Sequence, residues 1–176
     1  MVRGNEEMLE TIRQLFAYGG WANARILTAV GPSSRHHQKA LQLLAHLLVS
    51  ERIWLLRLKG EDTSAINKSP ELLFAECENL ANENQRAYTG LLCSLSEDKL
   101  NSLVTYRNFK GTEFHTPIGE ILMHVALHGT YHRGQIAIAM RAEGGIPVDT
   151  DFITFVRDRG DRQVASATQR HAADRE

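Results

Sequence analysis

Three histidines follow one another at intervals of four residues in the segment HVALHGTYHRGQI, at His124, His128 and His132. Neutral imidazole is a common ligand of zinc and of other divalent transition metals. Four residues is slightly more than one α-helical turn, so two such rings can bind the same ion. Residues eight apart lie about 12 Å apart along the helix axis, which is too far for two ligands of one metal. The spacing therefore predicts a pair, either His124 with His128 or His128 with His132.

The apolar face of the same segment favours the second pair. At about 100° per residue, one arc of the helical wheel collects seven apolar residues: Ile118, Ile121, Leu122, Val125, Ile136, Ala139 and Met140. His132 lies inside this arc, His128 lies at its edge, and His124 lies further round toward solvent. A metal inside a helical bundle needs ligands that face inward. We therefore predict that His128 and His132 chelate and that His124 flanks them.

A third ligand must come from another part of the chain, and His46 is the candidate. It lies in the leucine-rich segment LLAHLLVSERIW. A lone histidine in such a helix usually hydrogen-bonds a carboxylate or a carbonyl, but an inward-facing pair nearby raises the alternative that it binds the same ion. Three imidazoles would leave coordination positions open for water or substrate, as in catalytic zinc sites. The other interpretation is a metal-free polar seam in which the histidines bond Glu51, Glu120 or Ser50.

Four long helical segments must position these histidines. The apolar periodicity predicts helices from about Glu6 to Val30, His37 to Lys59, Pro70 to Leu95 and Pro117 to Glu143. Ser69 and Thr116 are the predicted N-caps of the last two, each followed by proline at the first helical position. The stretch SLVTYRNFKGTEFHT between them predicts a small hairpin or extended excursion. The predicted fold is all-α, an antiparallel four-helix bundle with this excursion before the last long helix.

Length and composition indicate one domain, which we place at residues 1–157, followed by a polar tail at residues 158–176. The net charge of −1 gives no basic field for nucleic acid, and no apolar run approaches the roughly 20 residues that span a bilayer. The N-terminus lacks the apolar core of a signal peptide. Cys77 and Cys93 would lie about 24 Å apart on one helix, too far for a disulfide between them. These features predict a cytoplasmic protein with reduced thiols and with neither nucleic-acid nor membrane partners.

Two further features of the sequence bear on the interior. Gly19 and Gly20 fall in the middle of the first helix, where they weaken it unless a neighbour packs closely there. Arg133 follows the last histidine of the series. It either meets an anionic group of a substrate or is a solvated or salt-bridged arginine.

Four stretches together resemble the DinB/YfiT-like superfamily, and in particular its DinB branch. They are YGGWANARIL, HLLVSERIWLLRL, TPIGEILMHVALHGTYHRGQIAIAMR and PVDTDFITF, of which the HGTYHRGQI core is the most specific. The resemblance implies a four-helix bundle that is commonly a homodimer. It also implies a divalent ion, typically zinc or nickel, held by His46, His128 and His132, with His124 outside the ligand set.

The resemblance further implies a reaction on a small-molecule substrate. Related bundles include thiol-dependent S-transferases and isomerases that use bacillithiol, mycothiol or glutathione, in which the metal binds the sulfur as thiolate. A divalent cation lowers the pKa of a thiol and so presents a nucleophile at neutral pH. The expected function is therefore a metal-dependent, thiol-dependent S-transferase acting on small electrophiles. A metal-dependent hydrolase and a non-catalytic, stress-related metal-binding bundle are the alternatives.

Overall fold

The computed structural model describes residues 3–32 and 37–161. Its long helices are α1 (Arg3–Val30), α2 (Gln38–Leu58), α3 (Phe74–Ser94) and α4 (Ile118–Ala142), and a shorter helix, α5, covers residues 152–161. The all-α bundle with a small excursion is confirmed. Within the described ranges, none of the helices is long and apolar enough to cross a membrane. Of the predicted polar tail, residues 162–176 lie outside the described residues.

The excursion before α4 is an antiparallel hairpin of β1 (Leu103–Arg107) and β2 (Glu113–Pro117), preceded by a short 3-10 helix. The side chain of Asn108 accepts two backbone N–H groups within the turn, and Gly111 adopts a φ of +80°, which favours glycine. Arg57 of α2 donates a hydrogen bond to the last carbonyl of β1 at 3.3 Å. The hairpin is thereby fixed to the end of α2.

The core fixes α2 against α4 and so fixes the two helices that carry the histidines of interest. Helix α2 packs against both α3 and α4. The large apolar side chains of α2 and α4 that are fully buried are Leu44, Leu47, Leu48, Leu55, Ile121, Leu122, Ile136 and Met140. Burying each of these side chains contributes about 1.5–3 kcal/mol to folding. A helix that is apolar on most sides is usually a buried one, and α2 has this composition and this position.

Helix α3 begins at Phe74, and the prediction that Ser69 caps it was wrong. The backbone N–H of Ser69 instead donates to the side chain of Asn67 at 3.0 Å, within an irregular segment that runs alongside α2. The N-cap is Leu73, whose N–H donates to the carboxylate of Glu76 at 2.7 Å. The Ser-Pro pair therefore does not begin the helix, because this segment is held against α2 by the contact between Lys68 and His46 that is described below.

The segment after α4 returns across the bundle. The hydroxyl of Tyr18 donates to the carbonyl of Thr150 at 2.7 Å. Phe155 of α5 is buried against Tyr18 and Trp21, with ring centroids 5.9 and 5.7 Å away. This aromatic cluster fixes α5 to the outer face of α1.

Both cysteines lie on α3 and are free. Cys77 is buried, and burial raises the pKa of its thiol to about 11, with the neighbouring carboxylate of Glu76 adding to the effect. A thiol with such a pKa stays protonated at neutral pH and is a poor nucleophile. Cys77 is therefore a core residue.

Candidate metal centre

Helices α2 and α4 bring His46, His128 and His132 together. One nitrogen from each ring can be chosen so that all three lie within 4.8 Å of one another. The Nε2 atoms of His128 and His132 are 3.1 Å apart. Two nitrogens bound tetrahedrally to one zinc ion, at 2.0–2.1 Å each, lie about 3.4 Å apart. The pair on α4 is thus already at the spacing that two ligands of one ion require.

His124 lies outside this cluster, as the helical wheel predicts. Its ring centroid is 5.5 Å from that of His128, but the side chain is exposed and contacts Trp54 edge-on at 5.0 Å. In the part of the chain that the structure describes, the only group of three potential ligands within reach of one ion is the cluster without it. The three equally spaced histidines of the sequence therefore divide into a pair and a flanking residue.

A backbone carbonyl orients the ring of His46. Its Nδ1 lies 2.7 Å from the carbonyl oxygen of Lys68, in the irregular segment before α3. A carbonyl can only accept, so Nδ1 carries a proton, and in the neutral ring the lone pair of Nε2 is then the one left for a metal. Metal-binding histidines generally hold their second nitrogen in this way, which fixes both tautomer and ring orientation. The contact thus orients the His46 ring with Nε2 as the nitrogen that a metal would bind.

The rings of the α4 pair are uncharged at neutral pH. Burial, together with smaller contributions from charge repulsion by the rings of His132, His124 and His46, lowers the pKa of His128 to about 4. Burial also lowers the pKa of His132, again with a contribution from His46. Only the neutral ring offers a lone pair to a metal. Their environment therefore keeps both rings in the form that binds a cation.

The polar seam predicted as the alternative does not form with the carboxylate proposed for it. Glu51 accepts hydrogen bonds from the side chains of Asn23 and Asn84, on the other side of α2 from His46. Among the described residues, no hydrogen bond joins the three clustered rings to Glu51, Glu120 or Ser50. Convergent neutral imidazole nitrogens suit a borderline-soft divalent cation. The donor set fits such an ion.

An open cavity of about 430 Å³ adjoins the cluster and gives a small molecule access to two of its rings, those of His46 and His132. Its other lining residues are Lys39, Gln42, Leu43, Ser69, Pro70 and Glu71. Lys39 and Gln42 precede His46 by seven and four residues, so helical spacing could have placed them on its face of α2. The residues from the irregular segment carry no such signal, because their position depends on how that segment folds back.

Comparison with known proteins gives three concordant results. A family model described as the DinB family matches residues 8–163. Protein DinB of Bacillus subtilis (strain 168) is 27% identical, in a match that covers 79% of this chain and 90% of that protein. The crystal structure of a DinB-like protein from Bacillus cereus ATCC 10987 matches with a TM-score of 0.59 and 16% identity, over 80% of this chain and 95% of that chain. The structural likeness concerns the fold alone.

Proposed function

The chain belongs to the DinB family, and from this premise we propose that it is a divalent-metal-dependent enzyme that uses a low-molecular-weight thiol to attack small electrophiles. The observation that carries the proposal is the three-histidine cluster beside an open cavity. Catalytic zinc sites characteristically have three protein ligands, whereas structural sites have four. Zinc or nickel is the proposed ion, because both accept imidazole nitrogen.

The proposed ligands are His46, His128 and His132, with Lys68 orienting the first of them. A divalent cation bound there supplies a positive charge that lowers the pKa of a thiol or of a water molecule beside it. In the proposed reaction the thiolate sulfur forms a bond to an electrophilic carbon. The leaving group departs with its bonding electron pair, and the thiol proton passes to solvent.

The cavity beside the histidines favours a thiol cofactor over attack by water. Its volume of about 430 Å³ lies within the range of roughly 300–1,000 Å³ that is usual for small-molecule sites. Lys39 lines it and can pair with a carboxylate, a group that glutathione and similar thiols carry. The role we propose for Lys39 is to bind the thiol in an orientation that directs its sulfur toward the three rings.

We expect metal-loaded protein to conjugate glutathione, bacillithiol or mycothiol to 1-chloro-2,4-dinitrobenzene, in an assay that follows the coloured thioether. Lys39→Ala should raise the KM for the thiol roughly two- to fivefold and leave kcat nearly unchanged, since an exposed ion pair contributes to binding more than to the chemical step. Lys59→Ala removes a lysine at the other end of α2 and should change neither constant.

The same assay decides between the proposed function and its alternatives. No thiol-dependent turnover by metal-loaded protein with any of the three thiols would overturn the transferase proposal. Hydrolysis of a small ester in the absence of thiol would then favour the metal-dependent hydrolase. Inactivity in both assays, with metal still bound, would favour the non-catalytic metal-binding bundle.

We also propose that the chain forms a homodimer through the outer face of α4. Leu127, Tyr131 and Ile138 are 63%, 65% and 67% exposed and lie on one stripe of that helix. Large apolar side chains aligned on an exposed face are typical of an interface. Gly134 lies between them, where the absence of a side chain would let a second helix approach closely.

Tyr131→Glu should convert the dimer to a monomer, because it would place a charge in an apolar contact. Light scattering or sedimentation at several protein concentrations measures the mass. Leu73→Glu, at an apolar residue that is 73% exposed outside this stripe, should leave the mass unchanged. A monomeric wild-type protein at high concentration would refute the proposed interface.

A further inference from the structure

A second cavity, of about 240 Å³, lies among the four long helices and shares no lining residue with the cavity beside the histidines. Each of the four helices contributes to its wall. The apolar part consists of Leu15, Phe16, Leu27, Tyr88 and Val125, with small residues between them. Neither the metal centre nor the proposed thiol reaction uses this space.

The glycine pair in the middle of α1 forms part of the cavity wall. A Cβ atom on Gly19 would meet no atom within 4 Å, whereas one on Gly20 would collide with the side-chain amide of Gln85. Gln85 and Asn82 belong to α3, line the same cavity and are exposed. The cavity therefore reaches the surface between α1 and α3. Glycine inside a helix costs about 1 kcal/mol relative to alanine, and at Gly19 no close packing accounts for it.

The polar part of the wall is a network with one side chain from each long helix, Asn23, Glu51, Asn84 and Arg133, which we call the four-helix polar network. Glu51 accepts from Asn23 Nδ2 at 3.1 Å and from Asn84 Nδ2 at 3.3 Å. Arg133 Nη1 donates to Asn23 Oδ1 at 3.4 Å. All four side chains line the cavity. The network combines one acidic and one basic side chain, so its formal charges balance when both are ionised.

Two atoms of this network are buried and have no hydrogen-bond partner among the described residues. They are Oδ1 of Asn84, a residue only 1% exposed, and Nε of Arg133, a residue only 3% exposed. The first is an acceptor and the second is a donor. A buried polar atom without a partner costs about 1–3 kcal/mol. Both atoms are too deeply enclosed for a ligand to reach, so the polar groups of the wall that remain open to a ligand are the exposed side-chain amides of Asn82 and Gln85, each of which both donates and accepts.

We propose that this cavity binds a small uncharged molecule with an apolar body and a head group, such as a primary amide, that both donates and accepts hydrogen bonds. A charged ligand would upset the balance between Glu51 and Arg133 in a desolvated place. The size is suitable, because a cavity of roughly 150 Å³ accommodates benzene and this one is larger. The site is independent of the proposed function, since its walls contain none of the three histidines.

Benzamide tests the proposal, with binding to the full-length protein followed by calorimetry or by NMR titration. We expect saturable binding of one benzamide per chain, and binding at least tenfold weaker for benzoate, benzylamine and toluene. Gly19→Leu should abolish benzamide binding by filling the cavity, and leucine is the better helix former at that position. Gly90→Leu is the matched control, because Gly90 is exposed on α3 and does not line the cavity, and a Cβ atom there would also meet no atom within 4 Å.

His128→Ala separates this site from the metal centre, because it should leave benzamide binding unchanged whatever it does to metal content or turnover. The proposal is overturned if benzamide does not bind saturably at concentrations on the order of 10 mM, which would mean that the cavity holds water only. It is equally overturned if the four aromatic compounds bind alike, or if Gly19→Leu and Gly90→Leu bind benzamide alike.

Discussion

Replacing His128 by alanine should remove the metal from the protein. We expect about one equivalent of zinc or nickel per chain in the wild type and less than about 0.1 equivalent in the variant, because two imidazoles alone make a weak site. The Nε2 atom of His128 is 3.1 Å from that of His132, and its ring centroid is 6.2 Å from that of His46. Elemental analysis of protein purified without an affinity tag measures the effect.

His124→Ala is the matched control, since it removes the same ring from the same helix one turn earlier. His124 is exposed and contacts Trp54 outside the cluster, so its removal should leave the metal content unchanged. Equal metal loss in the two variants would contradict the assignment of ligands. A wild-type protein without metal, even after incubation with zinc or nickel, would instead favour the metal-free seam.

The sequence predicts which two rings of α4 lie in the cluster, because both determinants of that placement are local. Four-residue spacing fixes which rings can share an ion, and the apolar arc fixes which of them face inward. His46 could be offered only as a candidate, supported by its leucine-rich surroundings and by the family resemblance. The contact between its ring and the carbonyl of Lys68 spans 22 residues, and no local pattern reports it. The same contact accounts for the error at Ser69, where a cap-and-proline signal was outweighed by tertiary structure.

The surroundings of Arg133 and of the glycine pair could not be predicted from the neighbouring sequence. The sequence left Arg133 as a substrate contact or as a solvated or salt-bridged arginine, and the structure buries it against the ring of Tyr18 at 4.9 Å and beside Asn23. The sequence left open whether a neighbour packs closely against the glycine pair, and the structure shows that Gly20 has such a neighbour and Gly19 does not. Both outcomes depend on how α1, α3 and α4 are arranged around one space. That arrangement follows from the whole core and cannot be inferred from any single helix.

Glu51→Ala should lower the free energy of unfolding by about 3 kcal/mol. The substitution removes the acceptor of the Asn23 and Asn84 amides and leaves the guanidinium of Arg133 buried without its acidic partner. Breaking a buried charged network at one member costs more than the network contributes as a whole, because the remaining members stay desolvated. Equilibrium denaturation by urea, monitored by helical circular dichroism, measures the change.

Glu83→Ala is the control for this loss. Glu83 pairs with Arg52 but is exposed, so removing it should cost less than about 1 kcal/mol. Similar losses for the two variants would contradict the assignment of Glu51 to a desolvated network.

The pH dependence of stability gives a second, independent measure of how deeply Glu51 is desolvated. Burial raises the pKa of its carboxyl above the ordinary value of 4.5, and this outweighs the opposing effects of Asn23, Arg133 and Asn84. The folded protein then holds this proton more tightly than the unfolded chain does, so the contribution of Glu51 to stability falls as pH rises from 4.5 through the raised pKa. Glu51→Gln cannot titrate. The unfolding free energy of the wild type should therefore decline relative to that of Glu51→Gln over this pH range. If the difference between the two unfolding free energies stays constant instead, the carboxyl is as well solvated in the folded protein as in the unfolded chain.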